Sequence, residues 1–103
     1  MHTVIETPTY LKSIESIWTA DEAAEFVDFI ARMPEVGDVI PGTSGLRKVR
    51  WSASGRGKRG GARVIYLHQA ADGRVALLMA YTKAKFDNLP LEFLRRLREQ
   101  YDA

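Results

Sequence analysis

The chain is 103 residues long and 46% apolar, enough for one packed domain over residues 1–103 and too short for a second. It has no cysteine, which excludes disulfides and thiolate metal sites, and His2 and His68 show no zinc-ligand spacing, so neither metal nor cofactor is expected. The net charge of +2 conceals a division that bears on association: residues 1–38 carry eight acids against Lys12 and Arg32, whereas residues 39–85 carry ten bases against Asp72.

Glu6 stands where a secretory signal would need an apolar core, and no apolar run approaches the roughly 18–20 residues of a membrane span. The expectation is a soluble, cytoplasmic protein without membrane contact. Residues 2–6 contain the β-prone run Thr3, Val4 and Ile5, which Thr7-Pro8 interrupts, so a short first strand is predicted. Residues 10–17 are predicted to form a short helix. A clearer helix follows: Thr19 and Glu22 have capping-box spacing, and Ala23, Phe26, Ile30 and Met33 recur along one side until Pro34 ends it.

Residues 36–45 hold Gly37, Pro41, Gly42 and Gly45, which predicts an irregular connection. From Leu46 the period changes to two. If Val49 and Trp51 pack inward, Lys48 and Arg50 share the opposite face, with a loop over 52–61 beyond them. Residues 62–68 form a second strand, Asp72-Gly73 a tight turn, and 75–81 a nearly all-apolar strand suited to a doubly covered position. These three make a meander. Asn88 and Pro90 start a final helix, with Leu91, Leu94, Leu97 and Tyr101 near one stripe and Arg95, Arg96 and Arg98 off it.

Residues 46–66, LRKVRWSASGRGKRGGARVIY, gather Arg47, Lys48, Arg50, Arg56, Lys58, Arg59 and Arg63 with no acid among them. Such a hairpin suits a polyanion, and its G-R-G-K-R-G lacks the ending and spacing of a P-loop. This run, with MAYTKAKFDNL after it, resembles the RelE/ParE toxin superfamily, and most of all its HigB-type branch, where a similar LRK, a basic glycine-rich loop and a GG-x-R-I/V-I-Y strand recur. The likeness covers roughly residues 36–98.

The resemblance implies an α+β protein with the RelE-like microbial RNase fold: a twisted, mainly antiparallel four-stranded sheet, two N-terminal helices on one face and a short C-terminal helix. It implies the toxin of a type II toxin-antitoxin pair, an endoribonuclease that cleaves messenger RNA in the ribosomal A site. Its partners would be a cognate antitoxin, the ribosome and mRNA; the residues leave the oligomeric state open. Lys48 and Arg50 match the family's basic pair, Arg63 the arginine of the next strand, and Lys83 the cation after the last, with Lys85 nearby in poorer register. Where better-studied members carry a catalytic tyrosine, this chain has Phe86.

Attack of an RNA 2′-hydroxyl on the adjacent phosphate, without metal, needs a base, stabilisation of a dianionic phosphorane and an acid for the leaving oxygen. Arginine offers planar paired donors that match phosphate oxygens, so Arg63 is the candidate for transition-state stabilisation, with Arg50 assisting. Lysine among other cations is eased toward its neutral form, which leaves Lys48 and Lys83 as candidates for base and acid. Arg47, Arg56, Lys58, Arg59 and Lys85 would hold RNA electrostatically, and Tyr81 would either stack on a base or pack in the core. His68 is either a general base or a structural histidine. Two other functions fit the same composition: a ParE-like inhibitor of DNA gyrase, and a non-catalytic RNA- or ribosome-binding module.

Overall fold

The computed structural model describes residues 2–52, 61–83 and 89–102. The elements are β1 (Thr3–Glu6), α1 (Pro8–Ile14), α2 (Ala20–Arg32), β2 (Asp38–Val39), β3 (Leu46–Trp51), β4 (Ala62–Gln69), β5 (Arg74–Thr82) and α3 (Leu91–Asp102), with a 3₁₀ turn at Ala70–Asp72. The sheet has five strands in the order β1-β5-β4-β3-β2. The sequence led us to expect four. The additional one, β2, is two residues long and lies within the glycine- and proline-rich connection, where no period is visible.

The antiparallel meander β3-β4-β5 forms as expected, and β1 joins its far edge parallel to β5, which makes the sheet mixed. β1 ends opposite Leu77, where the Thr7 amide makes a last backbone bond to the Leu77 carbonyl at 3.2 Å and side chains extend the attachment. The Thr7 hydroxyl donates to the Leu77 carbonyl at 2.8 Å, and the Ala80 amide donates to Ser13 Oγ at 2.9 Å, which ties α1 to the edge of β5. Thr7-Pro8 does more than interrupt a strand. Thr7 is the N-cap of α1, accepting from the Tyr10 amide at 3.3 Å, and Pro8 takes a first-turn position where its missing amide proton is no loss. The helix therefore begins two residues earlier than periodicity suggests.

The capping box of α2 is present, with the Thr19 amide donating to Glu22 Oε1 at 2.9 Å and the Glu22 amide to Thr19 Oγ1 at 3.2 Å. Phe26 and Ile30 are fully buried, whereas Met33 is 52% exposed. Met33 is the C-cap with non-helical φ and ψ, so the stripe ends one residue before the sequence pattern does.

Two apolar layers sandwich the sheet. On one face, Tyr10 and Ile14 of α1 and Phe26 and Ile30 of α2 pack on Val49, Val64, Tyr66, Val75 and Leu77. Trp51 joins this layer, its ring 5.4 Å from Trp18 and 5.3 Å from Phe26 centroid to centroid. On the other face, Leu94 and Leu97 of α3 join Leu46, Ile65, Leu67, Ala76, Leu78 and Tyr81. Layers on both sides explain the unbroken apolar character of β5. Leu91, expected on the buried stripe of α3, is 43% exposed at the helix start.

Candidate functional site

The alternation of β3 decides where its cations go. Val49 and Trp51 enter the layer under α1 and α2, so Leu46, Lys48 and Arg50 face the α3 side. The same alternation on β4 sends Val64 and Tyr66 to the helical layer and Arg63, Ile65 and Leu67 to the α3 side. Register then aligns them across the sheet: Arg50 lies directly opposite Arg63, which lies opposite Tyr81, and Lys48 lies opposite Ile65. Adjacent strands are about 4.8 Å apart, so the two arginines share one patch, with Lys48 two residues along β3.

Like charges directly opposite each other oppose strand pairing. Among the described residues neither Lys48, Arg63 nor Lys83 forms an ion pair. Arg63 and Lys48 are half-buried, Arg50 and Lys83 exposed, and Lys83 follows β5 in a turn two residues beyond Tyr81. Three cations at this end of the sheet thus lack an ion pair among the described residues, and Arg50 and Lys83 are exposed, an arrangement that suits a phosphodiester.

The final helix leaves that patch uncovered. Arg95 Nε donates to the Gly42 carbonyl at 3.0 Å, Arg98 Nε to the Ser44 carbonyl at 3.3 Å, and the Tyr101 hydroxyl to Gln69 Oε1 at 3.1 Å. These bonds hold α3 over the end of the sheet where β3 begins and β4 ends. The opposed arginines stand at the other end of the same face. A cavity of about 380 Å³ between Ile5, Thr7, Leu78, Leu97 and Tyr101 also lies away from the cations, and Glu6 on its wall disfavours an anion there.

Tyr81 is only 3% exposed, with its ring in the layer beneath α3. Of its two sequence-based readings the structure supports packing, because a ring with no free face cannot receive a base. Burial raises the pKa of its phenol above the usual 10.0, and the charge of Arg63, directly opposite it on β4, acts the other way. Arg47 is not part of the cation patch. It lies on the opposite side of β3, where its Nη1 donates to the Glu35 carbonyl at 3.2 Å and the Gly37 carbonyl at 2.8 Å. Arg56, Lys58, Arg59 and Lys85 lie outside the described residues.

Gly61 explains one part of the GG motif. It has φ of +66°, and a Cβ there would stand 2.3 Å from the Trp51 carbonyl oxygen, so only glycine lets the chain re-enter β4 beside the end of β3. The motif tyrosine, Tyr66, is fully buried on the face away from Arg63. Its hydroxyl accepts from the Gly37 amide and donates to the Pro34 carbonyl, each at 2.8 Å, which pins the connection into β2. Burial raises its pKa, against the lowering effects of the Gly37 hydrogen bond and the Arg47 charge. His68 also lies on that face, 3.2 Å from His2 between Nε2 atoms, and so is remote from the cation patch.

No family model matches the sequence. Solved structures do resemble the fold. The free E. coli toxin RelE, as an arginine-to-alanine double mutant, superposes with a TM-score of 0.63 over 94% of this chain and 96% of that one, at 11% identity. This chain has the RelE fold. A chain of the intact E. coli RelBE toxin-antitoxin complex superposes with a TM-score of 0.59, covering 80% of this chain and 96% of that one at 12% identity. The α+β arrangement expected from the motifs is thus the one observed, with the fifth strand as the difference. Among the described residues no helix is long and apolar enough to cross a membrane.

Proposed function

We propose that this chain is the toxin of a toxin-antitoxin pair, of the HigB-type branch, acting in the cytoplasm as a ribosome-dependent mRNA endoribonuclease. The observation that carries the reading is the direct opposition of Arg50 and Arg63, with Lys48 on the same face, at the end of a RelE-type sheet that α3 leaves open. Two guanidiniums directly opposite each other on one face match the charge and planarity of a phosphorane.

In this mechanism the messenger's backbone lies across β3 and β4. Arg63, backed by Arg50, takes the non-bridging phosphate oxygens as charge develops on them. Lys48 and Lys83 flank the pair and serve as base for the 2′-hydroxyl and acid for the 5′-oxygen, and no step calls for a metal ion. Arg56, Lys58, Arg59 and Lys85 add electrostatic hold, each contributing about one unit to the salt dependence of binding. The cognate antitoxin covers the basic face with acidic or apolar surface.

The test is a translation reaction programmed with a defined message. Purified protein should cut the message only when ribosomes are translating it. Arg63→Gln should lose cleavage while retaining ribosome binding. An intact message with normal peptide synthesis refutes the proposal, and equal loss of binding and cleavage in the variant would make the chain a binding module. Inhibition of gyrase supercoiling with the message intact would instead indicate a ParE-like activity.

A further inference from the structure

The two histidines are 66 residues apart in sequence, yet the fold brings them together on the face opposite the cation patch. His68 sits near the end of β4, paired with the fully buried Val75. His2 immediately precedes β1, and its amide donates to the Ala31 carbonyl at the end of α2 at 3.0 Å. Both backbones are fixed by the sheet or by a helix end. The Nε2 atoms stand 3.2 Å apart, with the rings crossed at 70° and their centroids separated by 4.9 Å.

Two nitrogens bound at about 2.0–2.1 Å to a tetrahedral ion stand roughly 3.3 Å from each other. The observed separation, which a hydrogen bond between a protonated and an unprotonated Nε2 also spans, is that of adjacent ligands on such an ion. The centroid separation is also shorter than two imidazoles aligned nitrogen to nitrogen would show, so the rings converge at an angle. Both residues are half-buried, which leaves room for water on the remaining positions. The charged groups whose fields reach His68 are Glu35 and Arg47, of opposite sign, and Arg47 is already committed to the Glu35 and Gly37 carbonyls. Burial and the neighbouring His2 both favour neutral His68, the form that ligates metal.

We propose that His2 and His68 form a two-histidine site for a divalent transition-metal ion of the zinc class. Among the described residues no third His, Cys, Asp or Glu completes a ligand set, so water fills the other positions and the ion exchanges freely. Bound there, it clamps the start of β1 to the end of β4 across β5. Imidazole donors select zinc, copper or nickel and reject magnesium, which takes oxygen ligands. The site stands apart from the cation patch, so it holds whatever the chain does to RNA.

The test is calorimetric titration of the full chain with zinc chloride at pH 7.5, with magnesium chloride as control. One zinc per chain is expected, with no magnesium uptake. Saturating zinc should raise Tm by upwards of about 10 °C when free zinc is about 100 times Kd. His2→Ala and His68→Gln should each weaken binding by at least about tenfold, and either variant alone decides, given a native circular-dichroism spectrum in chelator. Absence of zinc binding overturns the proposal. Binding that survives His68→Gln unchanged also overturns it, because His68 would then not hold the ion.

Discussion

Tyr10 and Tyr66 are both fully buried in the same apolar layer, and removing the hydroxyl from each should have opposite consequences. In Tyr66→Phe the Gly37 amide and the Pro34 carbonyl both lose a 2.8 Å partner in a buried setting. An orphaned buried group costs about 1–3 kcal/mol, and part of that is recovered because the hydroxyl itself no longer needs desolvation. The expected loss is about 2–4 kcal/mol, equivalent to a fall in Tm of roughly 10–20 °C for a domain of this size. The Tyr10 hydroxyl, by contrast, is buried without a hydrogen-bond partner, and burial together with the nearby Glu6 raises its pKa. Tyr10→Phe should therefore be neutral or stabilise by up to about 1 kcal/mol. Urea denaturation of the three proteins, with m unchanged, measures the contrast. Tyr66→Phe within about 0.5 kcal/mol of the parent, or Tyr10→Phe destabilised by more than about 1 kcal/mol, would refute the reasoning.

Thr19→Ala removes the acceptor for the Glu22 amide and should destabilise the chain by about 1 kcal/mol in the same assay, with Thr19→Asn restoring most of it. Gly61→Ala combines a left-handed backbone with a contact against the Trp51 carbonyl, so a loss of at least about 3 kcal/mol is expected. At alkaline pH the buried phenols of Tyr10, Tyr66 and Tyr81 all resist ionisation in the folded chain. The unfolded chain releases those protons near 10, so stability should hold below that value and fall above it. Ultraviolet titration should show phenolate from these three appearing only with unfolding; smooth titration in the folded state would contradict their burial.

Local signals in the sequence survived folding well, and long-range ones left no trace in it. The capping box of Thr19 and Glu22, the two-residue period of β3 and the apolar run of β5 each depend on neighbours within a few positions, and each formed. The placement of Lys48 and Arg50 on one face followed from parity alone. β2 was invisible because two paired residues have no period, and Thr7-Pro8 was ambiguous because a strand end and a helix cap use the same residues. Arg47 differs from Lys48 by one position and so by one face, which no composition argument separates. The approach of His2 to His68 depends on β1 crossing to the far side of β5, a topological fact with no local signature. Tyr81 was undecided because a ring at a strand end is equally suited to core and ligand until the covering helix is known.

The opposed arginines lead to a last prediction, because stability and activity should part company there. Arg63 faces Arg50 across β3 and β4 with no ion pair of its own among the described residues, an arrangement that like-charge repulsion opposes by roughly 0.2–1 kcal/mol. Arg63→Gln keeps much of the aliphatic stem beside Tyr81 and removes the charge. The variant should unfold at the same or slightly higher urea concentration, a gain of up to about 1 kcal/mol, while the message cleavage proposed for this chain falls to background. A guanidinium kept for structure would give the reverse pairing, lost stability with activity following it down. A gain in stability with loss of cleavage is the signature of a residue whose charge serves a phosphate, since the residue directly opposite it across the strands is another arginine.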